Sequence, residues 1–152
     1  MANTGEIHVV FVTDRFNCSQ PMSHYINACC YGDDLAAWLA QKLLPRGYDV
    51  DEPGQEDWGW YLQVANGERR WFVAIGVTQP NEAFLTPPSL STAAPRGNLG
   101  EWRIIIKTRG SLWQRLTHKN QISPSDELVQ AVNEIVTSGL QVSAKIENGG
   151  AL

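Results

Sequence analysis

The chain has 152 residues, 43% of them hydrophobic, which suits one domain with a sizeable buried core. Lys and Arg number 12 against 16 Asp and Glu, and the resulting charge of -4 argues against a protein dedicated to gripping nucleic acid. No apolar run approaches the roughly 18 residues of a membrane span, and MANTGEIHVVFVTDRF lacks the basic lead of a cleaved signal peptide.

These features predict a soluble protein in a cytoplasmic, bacterial setting. The three cysteines, Cys18, Cys29 and Cys30, are too few for a disulfide scaffold and read as reduced thiols. The distribution of charge says more than its sum. Between Gly47 and Glu68 every charge is negative: Asp49, Asp51, Glu52, Glu56 and Asp57. From Trp102 to Ser125 every charge is positive: Arg103, Lys107, Arg109, Arg115 and Lys119, with His118 among them.

In chain order, IHVVFV (7–12) is a β-branched apolar run and predicts a first strand. Residues 13–32 are irregular, punctuated by Pro21 and Gly32, with room for some helix. Asp33 is placed to cap a helix with Leu35, Trp38, Leu39 and Leu43 on its buried stripe, ending near Arg46 with Gly47 in the left-handed stop position. Asn66-Gly67 is the favoured pair for a type I′ hairpin turn. That turn sets Trp58 opposite Ile75, Trp60 opposite Val73 and Leu62 opposite Trp71, all on one face. Gly59, Tyr61, Gln63, Arg70, Phe72 and Ala74 fall on the other.

Residues 79–100 form a long Pro- and Ser-rich connection, of a length that is usually functional or disordered. EWRIIIK (101–107) then predicts a strand with Trp102, Ile104 and Ile106 inward, and Glu101, Arg103 and Lys107 outward. Ser123-Pro124-Ser125-Asp126 predicts an N-cap at Ser123 and a carboxylate at the third helical position. Leu128, Val132, Ile135 and Val136 supply that helix's stripe, and Gly139 is expected to stop it. LQVSAKI (140–146) reads as a last strand, and 148–152 as a flexible tail. The fold class is therefore α+β: a two-layer sandwich in which two helices cover one face of a mainly antiparallel sheet of about 4–5 strands, in a single domain over 1–147.

Candidate chemistry is sparse. Cys18, His24, Cys29 and Cys30 offer sulfur and nitrogen ligands of the kind zinc prefers, but their spacings match no standard knuckle. A thiol nucleophile would need a base and an oriented third group, and no third group is identifiable. Tyr31-Gly32-Asp33-Asp34 resembles the metal-binding string of viral RNA-dependent polymerases; here it opens a helix, so capping and favourable N-terminal charge explain it. Glu56 and Asp57 are adjacent on an extended chain, point to opposite faces, and so do not converge on one bond. The basic segment 103–119 interleaves cations with Trp113 in a manner suited to nucleic acid or a nucleotide.

Residues 32–64, GDDLAAWLAQKLLPRGYDVDEPGQEDWGWYLQV, resemble a pattern in small uncharacterised bacterial proteins: a Leu/Trp helix, a Gly-Tyr exit, a Pro, then an acidic Trp-Gly-Trp strand. The resemblance implies a shared structural unit and no activity. The favoured expectation is a non-enzymatic, immunity- or inhibitor-like module whose acidic arm, Asp49, Asp51, Glu52, Glu56 and Asp57, binds a basic protein partner, with no cofactor. The alternatives are a Cys/His metal protein or enzyme, a nucleic-acid binder using Arg103, Lys107, Arg109, Arg115 and Lys119, and a self-pairing dimer.

Overall fold

The computed structural model describes residues 5–26, 30–78, 99–109 and 121–149. Seven strands and two helices are present among them. The strands are β1 (Glu6–Thr13), β2 (Asp49–Val50), β3 (Gly54–Glu56), β4 (Gly59–Asn66), β5 (Arg69–Thr78), β6 (Gly100–Thr108) and β7 (Ala144–Gly149); the helices are α1 (Asp33–Leu43) and α2 (Glu127–Leu140). All pairings are antiparallel, in the order β2-β4-β5-β6-β1-β7, with β3 also on β4. The expected α+β class holds, but seven strands replace 4–5. The additional ones, β2 and β3, are too short for a period of two to register.

The register explains the core. Ile146, Val9, Ile104, Ile75 and Trp60 are successive partners across five strands, and Ile7, Ile106, Val73 and Leu62 form the next such row. Side chains alternate along each strand, so both rows project from the same face. They share one buried cluster with Leu35, Leu39 and Leu43 of α1 and with Leu128, Val132, Ile135 and Val136 of α2. Helix α1 packs against β2 and β4, and α2 against β1 and β7. Tyr61, Gln63, Phe72, Arg103 and Lys107 project from the opposite face, as the alternation predicted, and Ile105 lies there with them.

The hairpin turn differs from expectation. Asn66 pairs with Arg69, so Gly67-Glu68 is the two-residue loop, and Gly67 carries the positive φ of 63°. Glycine in left-handed backbone at the first central position is what a type II′ turn requires, and Asn66 is spared that conformation. The turn moves by one residue and the register by two, which preserves the faces: Trp60 meets Ile75, Leu62 meets Val73 and Val64 meets Trp71. Trp58 loses its expected place in the core. It lies at the Asp57-Trp58 turn joining β3 to β4 and is 49% exposed.

Other corrections concern helix ends. Asp33 is inside α1 and the cap position belongs to Gly32, whose φ is 126° and whose missing side chain leaves room for Ile75. Gly47 does end the following 3-10 turn in left-handed conformation, as predicted. In α2 the cap is Asp126, not Ser123; Pro124-Ser125 forms a turn closed by Asp126 N donating to Ser123 O at 3.0 Å. Gly139 is helical, and the helix stops at Gln141 with a φ of 55°. A β-carbon at Gly139 would stand 2.8 Å from Trp38 Cζ2, so this glycine serves the approach of α1 to α2. The last strand is displaced accordingly: Leu140 ends α2, and Asn148 and Gly149, expected in the tail, pair with β1. The described residues of 13–26 contain no helix, and 79–98 and 150–152 lie outside the described residues.

Asp126 concentrates several demands. Its buried carboxylate accepts from the amides of Leu128 (2.8 Å) and Val129 (3.3 Å), from Trp71 Nε1 (3.1 Å) and from Arg69 Nη2 (2.6 Å). Asp126→Ala removes a helix cap and strands a buried indole N–H, and should cost roughly 2–4 kcal/mol in urea denaturation, with Asp126→Asn recovering part of it. An alanine variant as stable as wild type would remove Asp126 from its structural role. Trp60→Ala should cost roughly 3–5 kcal/mol, whereas Trp58→Ala should change stability by less than about 0.5 kcal/mol; equal losses would contradict the faces assigned here.

Candidate functional site

The acidic arm is the sheet margin. β2 and β3 both lie along β4, with Asp49 opposite Ala65 and Glu56 opposite Gly59, and Asp51 N donates to Gln63 O at 3.1 Å between them. Glu52 and Pro53 carry the chain from one short strand to the next. This arrangement brings Asp49, Asp51, Glu52, Glu56 and Asp57 to one edge, and all five are exposed. The ion pairs of the described residues lie elsewhere: Arg46 with Glu134, Arg69 with Asp126 and Glu127, Arg103 with Glu147, Lys107 with Glu6. No described cation pairs with Asp49, Asp51, Glu52 or Glu56.

Trp58 joins this edge. Alternation along an assumed longer β4 placed it in the core; the unrecognised β3 and its tight turn place it beside Glu56 and Asp57 instead. Ile26 is also exposed, and its amide donates to Gln55 Oε1 at 2.6 Å. Gln55 Nε2 donates in turn to His24 O at 3.0 Å, so one β3 side chain ties the 13–26 loop to the edge. No sequence signal marked Gln55, whose importance is only that both ends of its amide meet backbone.

Among the described residues, Cys18, His24 and Cys30 do not assemble into a ligand set. Cys18 is buried, and burial followed by the Asp34 charge pushes its thiol up, away from the nucleophilic thiolate. Cys30 is also buried and its thiol donates to Glu56 O at 3.0 Å, while Cys30 O accepts from Trp60 Nε1 at 2.8 Å. Cys30 therefore fastens the chain before α1 to the β3–β4 turn. Cys29 lies outside the described residues, and among those described no three Cys, His, Asp or Glu side chains come together as a ligand set. His24 reaches Asp33 Oδ2 (2.8 Å), and Tyr25 OH donates to Asp33 Oδ1 (2.8 Å). Burial, then Asp33, pushes the Tyr25 hydroxyl well above its ordinary range. Asp34 accepts from Asn17 N at 2.7 Å, and its own carboxyl is raised chiefly by burial. The two aspartates hold a loop to a helix. Between them and Met22 is an open cleft of about 490 Å³.

The basic segment is divided. Arg103 donates to Glu147 Oε1 (3.0 Å) and contacts His8 Nδ1 (3.1 Å), and Lys107 Nζ lies 3.5 Å from Glu6. These cations meet acids on β1 and β7; the acidic arm is not their partner. With Nδ1 accepting from Arg103, His8 has Nε2–H to offer Glu6, which it contacts closely. Arg109 N donates to Arg70 O at 2.7 Å, and its guanidinium bonds Gln63 Oε1. Arg115 and Lys119 lie outside the described residues.

No family model, curated protein or solved structure matches this chain.

Burial raises the Glu6 carboxyl, but the His8 hydrogen bond and then Lys107 outweigh it and hold the group below its ordinary 4.5. A carboxylate depressed in the folded state stabilises fully above its unfolded pKa, and that contribution vanishes as pH falls through the folded one. Glu6→Gln should therefore lower the urea midpoint near neutral pH, and the difference from wild type should shrink as pH falls through and below the ordinary carboxylate range. A difference that is constant across this range would show that the ionised Glu6 contributes nothing.

Proposed function

We propose that this chain is a non-enzymatic protein-binding module whose acidic edge holds a basic partner, in the manner of an immunity or inhibitor protein covering a cationic site. The observation that carries the reading is the exposure of Asp49, Asp51, Glu52, Glu56 and Asp57 along one margin, with Arg46, Arg69, Arg103 and Lys107 paired to other carboxylates. Clustered like charge opposes compaction and is retained at a cost. A cationic partner relieves that repulsion, accelerates encounter and sets orientation. Trp58 supplies what charge alone lacks: a large, half-exposed aromatic beside the acids, of the type that dominates binding energy once water is excluded.

The likeness of residues 32–64 to small bacterial proteins belongs to the same proposal. What they would share is α1, the Gly47 turn and the β3–β4 edge, the parts that build this margin. A cytoplasmic setting is proposed with it; no helix among the described residues is long and apolar enough to cross a membrane.

The test uses a fluorescent arginine-rich peptide as probe. Asp49→Asn, Asp51→Asn, Glu52→Gln and Glu56→Gln together should weaken salt-sensitive binding at least about tenfold. A control carrying Asp14→Asn, Glu68→Gln, Glu127→Gln and Glu134→Gln has the same net charge and should keep most of the affinity. Equal losses in the two variants would mean that only total charge matters and would overturn the edge as a site. Trp58→Ala should weaken binding several-fold with the fold intact.

A further inference from the structure

The face of the sheet opposite the helices differs in character from the acidic edge. At its centre Tyr61 and Phe72 stack, with ring centroids 5.1 Å apart and planes inclined by 24°. In the register Phe72 stands between Gln63 of β4 and Lys107 of β6. Arg70 precedes Phe72 by two residues on the same face, and Arg109 follows Lys107 by two. The Arg109–Arg70 main-chain bond holds these two arginines side by side at 2.7 Å, and the Arg109 guanidinium turns in over Gln63. Arg70, Lys107 and Arg109 are exposed, and Tyr61 and Phe72 are half-buried. No described carboxylate pairs with Arg70 or Arg109. A chain of net charge -4 has thus collected Arg70 and Arg109 beside an aromatic pair on an open antiparallel sheet, next to Lys107, whose charge Glu6 partly offsets at 3.5 Å.

We propose that this face binds single-stranded nucleic acid, with bases laid against Tyr61 and Phe72 and the phosphate backbone along Arg70, Lys107 and Arg109. Every base has a π-face, so aromatic side chains on a sheet accept unpaired bases without needing a particular sequence, and flanking cations take up the phosphates. A duplex keeps its bases stacked inside and cannot use the aromatic pair. Gln63, half-buried between the aromatics and Arg109, offers an amide to a base edge. The site is independent of the acidic edge, and its anionic ligand is one the edge would repel.

The test is fluorescence anisotropy of labelled oligo(dT) and oligo(rU) of about 12 nucleotides at about 50 mM salt, with the full chain. Wild type should bind saturably and bind a duplex of equal length more weakly. Phe72→Leu, which keeps apolar volume but loses the ring, should weaken binding about tenfold. Arg70→Ala should lower the slope of log affinity against log salt by about 0.7. Circular dichroism and melting of each variant separate these effects from misfolding, and Arg109→Ala provides a second variant if Phe72→Leu does not fold. The proposal fails if no saturable binding occurs below about 100 µM, if folded Phe72→Leu or Arg109→Ala binds like wild type, or if duplex or heparin binds as tightly as the single strand.

Discussion

A single buried carboxylate connects the helical layer to the sheet. Asp126 satisfies the first amides of α2, accepts the indole N–H of Trp71 and holds Arg69, whose guanidinium carbon lies 4.9 Å from the centre of the Trp71 ring. A charge this enclosed is tolerable because nearly every lone pair has a donor; with one removed, the others become a liability. Its influence extends further along the chain. Trp71 packs edge-on against Tyr48, with centroids 5.8 Å apart, and Tyr48 is the residue between the Gly47 turn and Asp49. The direction in which the acidic margin leaves α1 therefore depends on a ring that Asp126 orients.

Charge is sorted by surface. On the face away from the helices, acids and bases alternate across β1, β6 and β7 and largely consume one another: Glu6 with Lys107 and His8, Glu147 with Arg103. At the β2–β3 margin acids accumulate with no described cation among them. At the Arg70 and Arg109 corner, cations stand beside the Tyr61–Phe72 pair. A small acidic protein thereby presents two regions of opposite charge, and neither is visible in its net charge.

The sequence was legible wherever periodicity was long. The stripes of α1 and α2, the inward row of β6, and the faces of the β4–β5 hairpin all follow from spacing, because burying one face leaves little freedom in which residues point inward. It was less legible where a few residues decide. A register shift of two leaves every face unchanged, so apolar pattern could not choose between Asn66-Gly67 and Gly67-Glu68 as the turn. Trp58 was misplaced because β3, only three residues long, is invisible to alternation. Gly139 read as a helix stop because its real reason, the Trp38 ring of another helix, is a contact distant in sequence. The acidic residues of the candidate site were evident as composition, but their convergence on one edge, and Trp58 among them, required the pairing of β2 and β3 with β4.

Pro53 divides that edge into a two-residue and a three-residue ladder. Long, flat, uncharged sheet margins recruit further copies strand by strand and grow into fibres. Here a would-be neighbour meets a broken hydrogen-bonding row, a proline that cannot donate, and carboxylates that repel its own. On the proposed function, the same few residues that would hold an oppositely charged protein would also turn away copies of the chain, and so discriminate self from partner.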